Sequence, residues 1–144
     1  MVGRLGVFLV DTNVWLEVLL AQQKSEEAKS FLGSVEADLL CITELSLYSI
    51  GIIMGRLGKG SEYRAFVSDT VEESGVRRVI LDTREIKELP DLHERFGLDF
   101  DDAYQYAAAE KNDLTIVSFD RDFDKTERGR VLPSKAASQT GEIP

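Results

Sequence analysis

Apolar residues along this chain fall into short continuous runs separated by stretches at helical spacing, and the two patterns alternate. Val7-Phe8-Leu9-Val10 is short, continuous and β-rich, which predicts a strand buried on both faces. Asp11-Thr12-Asn13 follows at once as a turn and cap cluster, so a helix is expected through Val14-Trp15-Leu16 to Leu20. Residues 25–32 carry Ala28, Phe31 and Leu32 at core spacing, with Gly33 as the expected stop. Residues 37–42 predict a second strand. Thr43-Glu44 then opens a helix over 45–57, with Leu47, Ile50, Ile53 and Met54 on one face. A further helix is expected over 62–73, with Tyr63, Phe66, Val67 and Val71 turned inward and Gly75 beyond its end.

Residues 76–81 read as a strand, Asp82-Thr83 as a helix start, and 84–89 as a short helix ending before Pro90. The stretch from Asp99 to Glu110 predicts an acidic helix start followed by a small-residue helix, and Leu114 to Phe119 a late strand. Val131-Leu132-Pro133 is expected to add a short edge strand, residues 1–6 to be a mobile start, and the chain from about 134 to be a loose tail. Alternating strands and helices define an α/β layer fold with a mostly parallel sheet. The 144 residues show neither a repeat nor a domain boundary, so a single domain over 1–144 is expected.

Composition narrows the picture. A hydrophobic fraction of 43% suffices for a core and argues against overall disorder. No apolar run approaches the roughly 18 residues of a membrane span. The single cysteine, Cys41, sits among apolar residues, which excludes an internal disulfide framework and fits a reducing cytoplasm. A net charge of −9 argues against a generally basic nucleic-acid-binding surface. The single histidine, His93, lies in a charged segment and is read as a surface residue.

The acids are not spread evenly. Asp99, Asp101 and Asp102 crowd one helix start, where the positive end of the helix dipole offsets part of their repulsion. Asp120, Asp122 and Asp124 crowd the end of the late strand. Asp11 follows the first strand, and Glu44 opens the helix after the second. In open α/β sheets that carboxyl edge is where ligands sit. A hard divalent cation would relieve such repulsion.

Asp11-Thr12-Asn13 after an apolar run, Asp101-Asp102-Ala103 opening a helix with Ala107 and Ala109, and Ser118-Phe119-Asp120-Arg121-Asp122-Phe123 stand in this order within a short chain. Together they resemble the PIN-domain ribonucleases, which include the toxins of many toxin–antitoxin pairs. The resemblance runs from about Val7 to Phe123. It implies a three-layer fold, a twisted, mostly parallel sheet flanked by helices, with an acidic pocket holding Mg²⁺ or Mn²⁺. It also implies a toxin-type endoribonuclease that hydrolyses single-stranded RNA, pairs with an antitoxin and forms a homodimer.

Carried over by residue, Asp11 and Asp102 correspond to the main metal ligands and Asp120 to the third acid. Thr12 or Asn13, with Ser118, correspond to polar supports. Asp99 and Asp101 are ambiguous neighbours of Asp102, and Asp122 and Asp124 are flanking acids. Many family members carry a glutamate inside the third helix, near Tyr48-Ser49 here. This chain has Glu44 about one turn earlier, so either Glu44 substitutes as a catalytic acid or the site works with three acids. Two other readings remain: a degenerate PIN-like module that binds RNA or protein without cleaving, and a receiver-like phosphoacceptor. The latter expects paired acids after the first strand, where only Asp11 stands.

Overall fold

A computed structural model describes residues 6–141, and side-chain surroundings as far as residue 137. The expected mobile start therefore lies almost wholly outside the described residues. Four parallel strands, β1 (Phe8–Val10), β2 (Leu40–Thr43), β3 (Arg77–Val79) and β4 (Thr115–Val117), form one sheet in the order β3-β2-β1-β4. Helices flank it: α1 (Thr12–Leu19), α2 (Ser25–Ser34), α3 (Glu44–Arg56), α4 (Gly60–Phe66), α5 (Thr83–Lys87), α6 (Leu89–Phe96), α7 (Phe100–Asn112) and α8 (Pro133–Gly141). No described helix is long and apolar enough to cross a membrane.

The period-2 alternation of the strands sorts the core into two halves. Phe8, Val10, Leu40, Ile42 and Val117 face a cluster built with Val14 and Trp15 of α1, Phe31 of α2, and Leu47, Ile50 and Met54 of α3. Leu9, Cys41 and Ile116 face the other cluster, with Ala103, Tyr106, Ala108 and Ala109 of α7, Leu89 and Phe123. The small side chains of α7 let that helix lie close to the strands. Tyr63 packs its ring 3.0 Å from where a Cβ on Gly51 would sit and donates to the Leu47 carbonyl at 2.7 Å, so Gly51 is the residue that admits it.

Connectivity then fixes where a site can form. From β1 the chain moves through α1 and α2 to β2, and through α3 and α4 to β3, before returning across the sheet to β4. After β1 the chain packs into the first cluster through Val14 and Trp15; after β4 it packs into the second through Phe123. The carboxyl ends of β1 and β4 thus flank a switch point, the crevice where α/β sheets place ligands.

Several expected elements differ in detail. Residues 37–39 form a 3₁₀ turn before β2, and the helix expected over 62–73 is α4 followed by a π-helix at Val67–Glu73. The short helix expected before Pro90 is α5, which ends at Lys87. Pro90 itself occupies the first turn of a further helix, α6, where a missing N–H costs nothing. Gly97, at φ +72, supplies the left-handed residue that closes α6. His93 caps that turn, its Nδ1 lying 2.8 Å from the Leu98 carbonyl. Val131 makes only an isolated parallel bridge to Val117. The expected loose tail is α8, which packs against α2 and buries Ala136.

Candidate metal centre

Asp11 ends β1 and caps α1. Its Oδ1 accepts from the Thr12 N–H at 2.8 Å and from Gln105 Nε2 at 2.9 Å, and its Oδ2 accepts from Ser118 Oγ at 2.7 Å. At 6% exposure the carboxyl is held in one orientation. Burial raises its pKa, opposed by the hydrogen bonds from Ser118, Gln105 and Thr12. Ser118 in turn accepts from the Asp120 N–H at 2.9 Å and from Asn13 Nδ2 at 3.3 Å. Asn13 Oδ1 accepts from the Phe119 N–H, so the loops after β1 and β4 are tied together.

Behind Asp11 lies a buried polar hub. Gln105 donates to Asp11 and, at 3.1 Å, to Ser46 Oγ, and accepts from Thr43 Oγ1 at 2.6 Å. Ser46 Oγ also lies 2.7 Å from Thr12 Oγ1. No buried side-chain polar atom among the described residues lacks a partner. Sequence reasoning missed Gln105. The available signal was an amide among the alanines and tyrosines of α7, one turn after Asp102 and hence on the same face.

In front of Asp11 opens a cleft of about 350 Å³, lined by Asp11, Asp101, Asp102 and Asp120 together with Ser49 and Gln105. Among the described residues no basic side chain lines it. Carboxylate oxygens of Asp102, Asp120 and Asp122 lie within 4.8 Å of one another, as do those of Asp99, Asp101 and Asp102. The Asp102 carboxyl, 7% exposed, has its pKa pushed up to about 8, first by burial and then by repulsion from Asp120, Asp101, Asp11 and Asp122. Oxygen-only donors at this density suit a hard divalent cation such as Mg²⁺ or Mn²⁺.

The predicted acids Asp11, Asp102 and Asp120 therefore share one cleft, with Thr12, Asn13 and Ser118 in supporting contact. Asp122, read from sequence as a flanking acid, joins Asp102 and Asp120. Asp124 instead pairs with Arg130. Glu44 departs from expectation. Its Oε2 accepts from Arg78 Nη2 at 2.6 Å, and it does not line the cleft. The first residue of α3 turns toward β3, whereas Leu45, Ser49 and Ile53, spaced one turn apart, face the acids. Ser49 thus occupies the α3 position from which a carboxylate could reach the cleft. Ser49→Glu is expected to tighten Mn²⁺ binding at least ~10-fold by adding a hard ligand, as read by titration calorimetry; unchanged affinity would mean that α3 does not face the ion.

The raised pKa of Asp102 has a thermodynamic consequence. Between about pH 4 and pH 8 the folded metal-free protein keeps a proton that the unfolded chain has lost. The contribution of Asp102 to stability therefore falls as pH rises through that window. Asp82 and Asp124 have pKa values lowered by the Glu85 N–H and by Arg130, respectively, and act below it. Urea melts in EDTA are expected to show stability declining from pH 5 to pH 8, and Mn²⁺ to reverse the trend. A metal-free stability that rises across the same interval would contradict this assignment.

The family follows from comparison with known proteins. The PIN domain family model matches residues 8–129, and the chain belongs to that family. Among curated proteins no sequence match is found. Solved structures give the same fold at low identity. A toxin–antitoxin complex from Klebsiella pneumoniae matches with TM-score 0.69 and 19% identity, over 87% of this chain and 96% of that one. The sarcin–ricin-loop-cleaving toxin VapC20 of Mycobacterium tuberculosis matches with TM-score 0.73 and 18% identity, over 88% and 99%. FitAcB from Neisseria gonorrhoeae matches with TM-score 0.62 and 18% identity, over 91% and 93%.

Proposed function

We propose that this chain is a toxin-type endoribonuclease that hydrolyses phosphodiester bonds of single-stranded RNA with Mg²⁺ or Mn²⁺. The observation that carries the reading is the cleft at the β1–β4 switch point, where Asp11, Asp101, Asp102 and Asp120 gather with no basic residue among them. Asp102 and Asp120 would hold the ion, with Asp11 and Asp122 beside them. A divalent cation there would supply Lewis-acid polarisation of the phosphate and a more acidic water. The protein's own contribution is rigidity. Gln105, Ser118 and the Thr12 N–H fix Asp11, and the Ser118 hydroxyl links that carboxylate to the backbone of Asp120. Asp102 would have to be ionised to hold the cation.

A toxin-type reading implies an antitoxin partner and a homodimer. Tyr48 and Ile52, one turn apart on α3 and both more than half exposed, offer an apolar contact surface for the second copy. Cleavage of a labelled single-stranded RNA should require Mn²⁺ or Mg²⁺, stop with EDTA, and fall at least ~100-fold in Asp11→Asn. EDTA-resistant cleavage would overturn the proposal.

The second reading, a PIN-like module that binds RNA or protein without cleaving, is favoured by Ser49, which leaves α3 without an acid in the cleft. Such a module would bind Mn²⁺ negligibly in calorimetry at pH 8.

A further inference from the structure

A second cavity, of about 490 Å³, adjoins the acidic cleft and shares Asn13 with it. Phe119, Glu17, Ala21, Gln22, Gln23 and Lys24 complete its lining. The loop that carries the last three is fixed by its backbone. Ala21 sits at φ +50, which costs a non-glycine residue about 1–2 kcal/mol. The Gln22 N–H donates to the Glu17 carbonyl at 2.9 Å, and the Lys24 N–H donates to Glu17 Oε1 at 2.7 Å. On the opposite wall the Phe119 N–H is held by Asn13 Oδ1 at 3.2 Å.

The chemistry of this lining differs from that of the cleft. Glu17 and Lys24 cancel in charge, so the cavity as it stands carries no net charge. Among the described residues the side-chain amides of Gln22 and Gln23 make no hydrogen bond, which leaves donors and acceptors free to meet a base edge. The Lys24 ammonium lies 4.7 Å from the Phe119 ring centroid, and Lys24 makes no ion pair among the described residues. An exposed cation–π contact is worth about 0.5–1 kcal/mol, whereas a base stacked on an aromatic ring is worth about 1–3 kcal/mol. A base therefore displaces Lys24 from the ring and frees the ammonium for that nucleotide's own phosphate. Phe119 stands between Ser118, which binds Asp11, and Asp120, so a nucleotide on the ring neighbours the phosphate at the acids.

We propose that this cavity is the subsite for the nucleotide adjoining the scissile phosphate, taking an unstacked RNA base on Phe119 with Gln22 and Gln23 at its edge and Lys24 at its phosphate. The proposal rests on the ribonuclease reading for the identity of the ligand. The test is fluorescence anisotropy of labelled single-stranded oligoribonucleotides (poly-A, poly-U, poly-C and mixed decamers) with Ca²⁺ in place of Mn²⁺, run beside a cleavage assay. Phe119→Leu, which keeps apolar bulk, should weaken binding roughly 10-fold, and Phe119→Trp should restore it. In cleavage the same Leu variant should raise KM more than it lowers kcat. Lys24→Met, at an exposed position, should reduce the slope of log affinity against log salt by about 0.7, one phosphate contact on a single strand. Unchanged Mn²⁺ affinity by calorimetry shows that the variants are folded. RNA binding that responds to Phe119→Leu without any cleavage would keep the subsite and remove the nuclease. Cleavage indifferent to both variants would remove the subsite alone, and absence of binding by the unmodified protein would also overturn it.

Discussion

Asp102→Asn is expected to stabilise the metal-free protein while abolishing Mn²⁺ binding and cutting cleavage by on the order of 10³-fold. Both effects come from one cause. In the metal-free protein the Asp102 carboxyl is buried beside Asp120, Asp101, Asp11 and Asp122, and its pKa stands near 8. At pH 7 the unfolded chain holds this group ionised, so folding must take up a proton against the solution. An amide has the same shape and no such requirement, so the substitution should add on the order of 2–4 kcal/mol at pH 7. The gain should shrink toward pH 4 and vanish below it, where the unfolded chain is protonated as well. Asparagine, however, brings no negative charge to a cation. A thermal melt in EDTA and a calorimetric Mn²⁺ titration read the two effects separately. Destabilisation of the metal-free protein together with intact metal binding would show that Asp102 has a purely structural role.

Gln105→Leu should produce the largest loss of stability. Leucine approximates the volume of glutamine but offers no polar atom. Ser46 Oγ would lose a donor, Asp11 Oδ1 one of its two donors, and Thr43 Oγ1 its acceptor at 2.6 Å, which leaves it only the longer contact to Ser46 Oγ at 3.2 Å. The position is 2% exposed, which leaves these groups little access to replacement water. Each orphaned buried polar group costs about 1–3 kcal/mol, and members of one network do not add simply, so about 2–4 kcal/mol is expected in total. For a chain of this size that is a fall in Tm of roughly 10 °C. Cleavage should fall as well, because Asp11 loses the donor that orients it. Scanning calorimetry of the variant checks the first effect. A change in Tm of less than 2 °C would mean that the hub is filled by water instead.

What could be read from the sequence divides along a physical line. β1 and α1 were legible because a continuous apolar run meets an acid that caps the next helix, and local chemistry alone specifies that junction. Asp102 and Asp120 were legible because like charge at such density has few structural uses. α6 was missed because a proline can follow one helix and open the next, and only the periodicity beyond Pro90 separates the two. α8 was missed because its docking on α2 is a tertiary contact, invisible in a polar tail. Glu44 illustrates the same limit at finer scale. A shift of one turn preserves the helix face approximately, but position 44 is the first helical residue, and its side chain finds Arg78 on the edge strand. Gln105 requires knowing that it meets Thr43 and Ser46, at the start of α3, behind Asp11, which no local pattern states.

The central claim is that Asp102 and Asp120, with Asp11 beside them, hold one divalent ion at the β1–β4 edge. Crystals grown with Mn²⁺ and measured for anomalous scattering test it directly. The account predicts a strong peak about 2.0–2.3 Å from carboxylate oxygens of Asp102 and Asp120. A fully ordered cleft with no peak, or a peak held only by Asp99 and Asp101 at the start of α7, would contradict it.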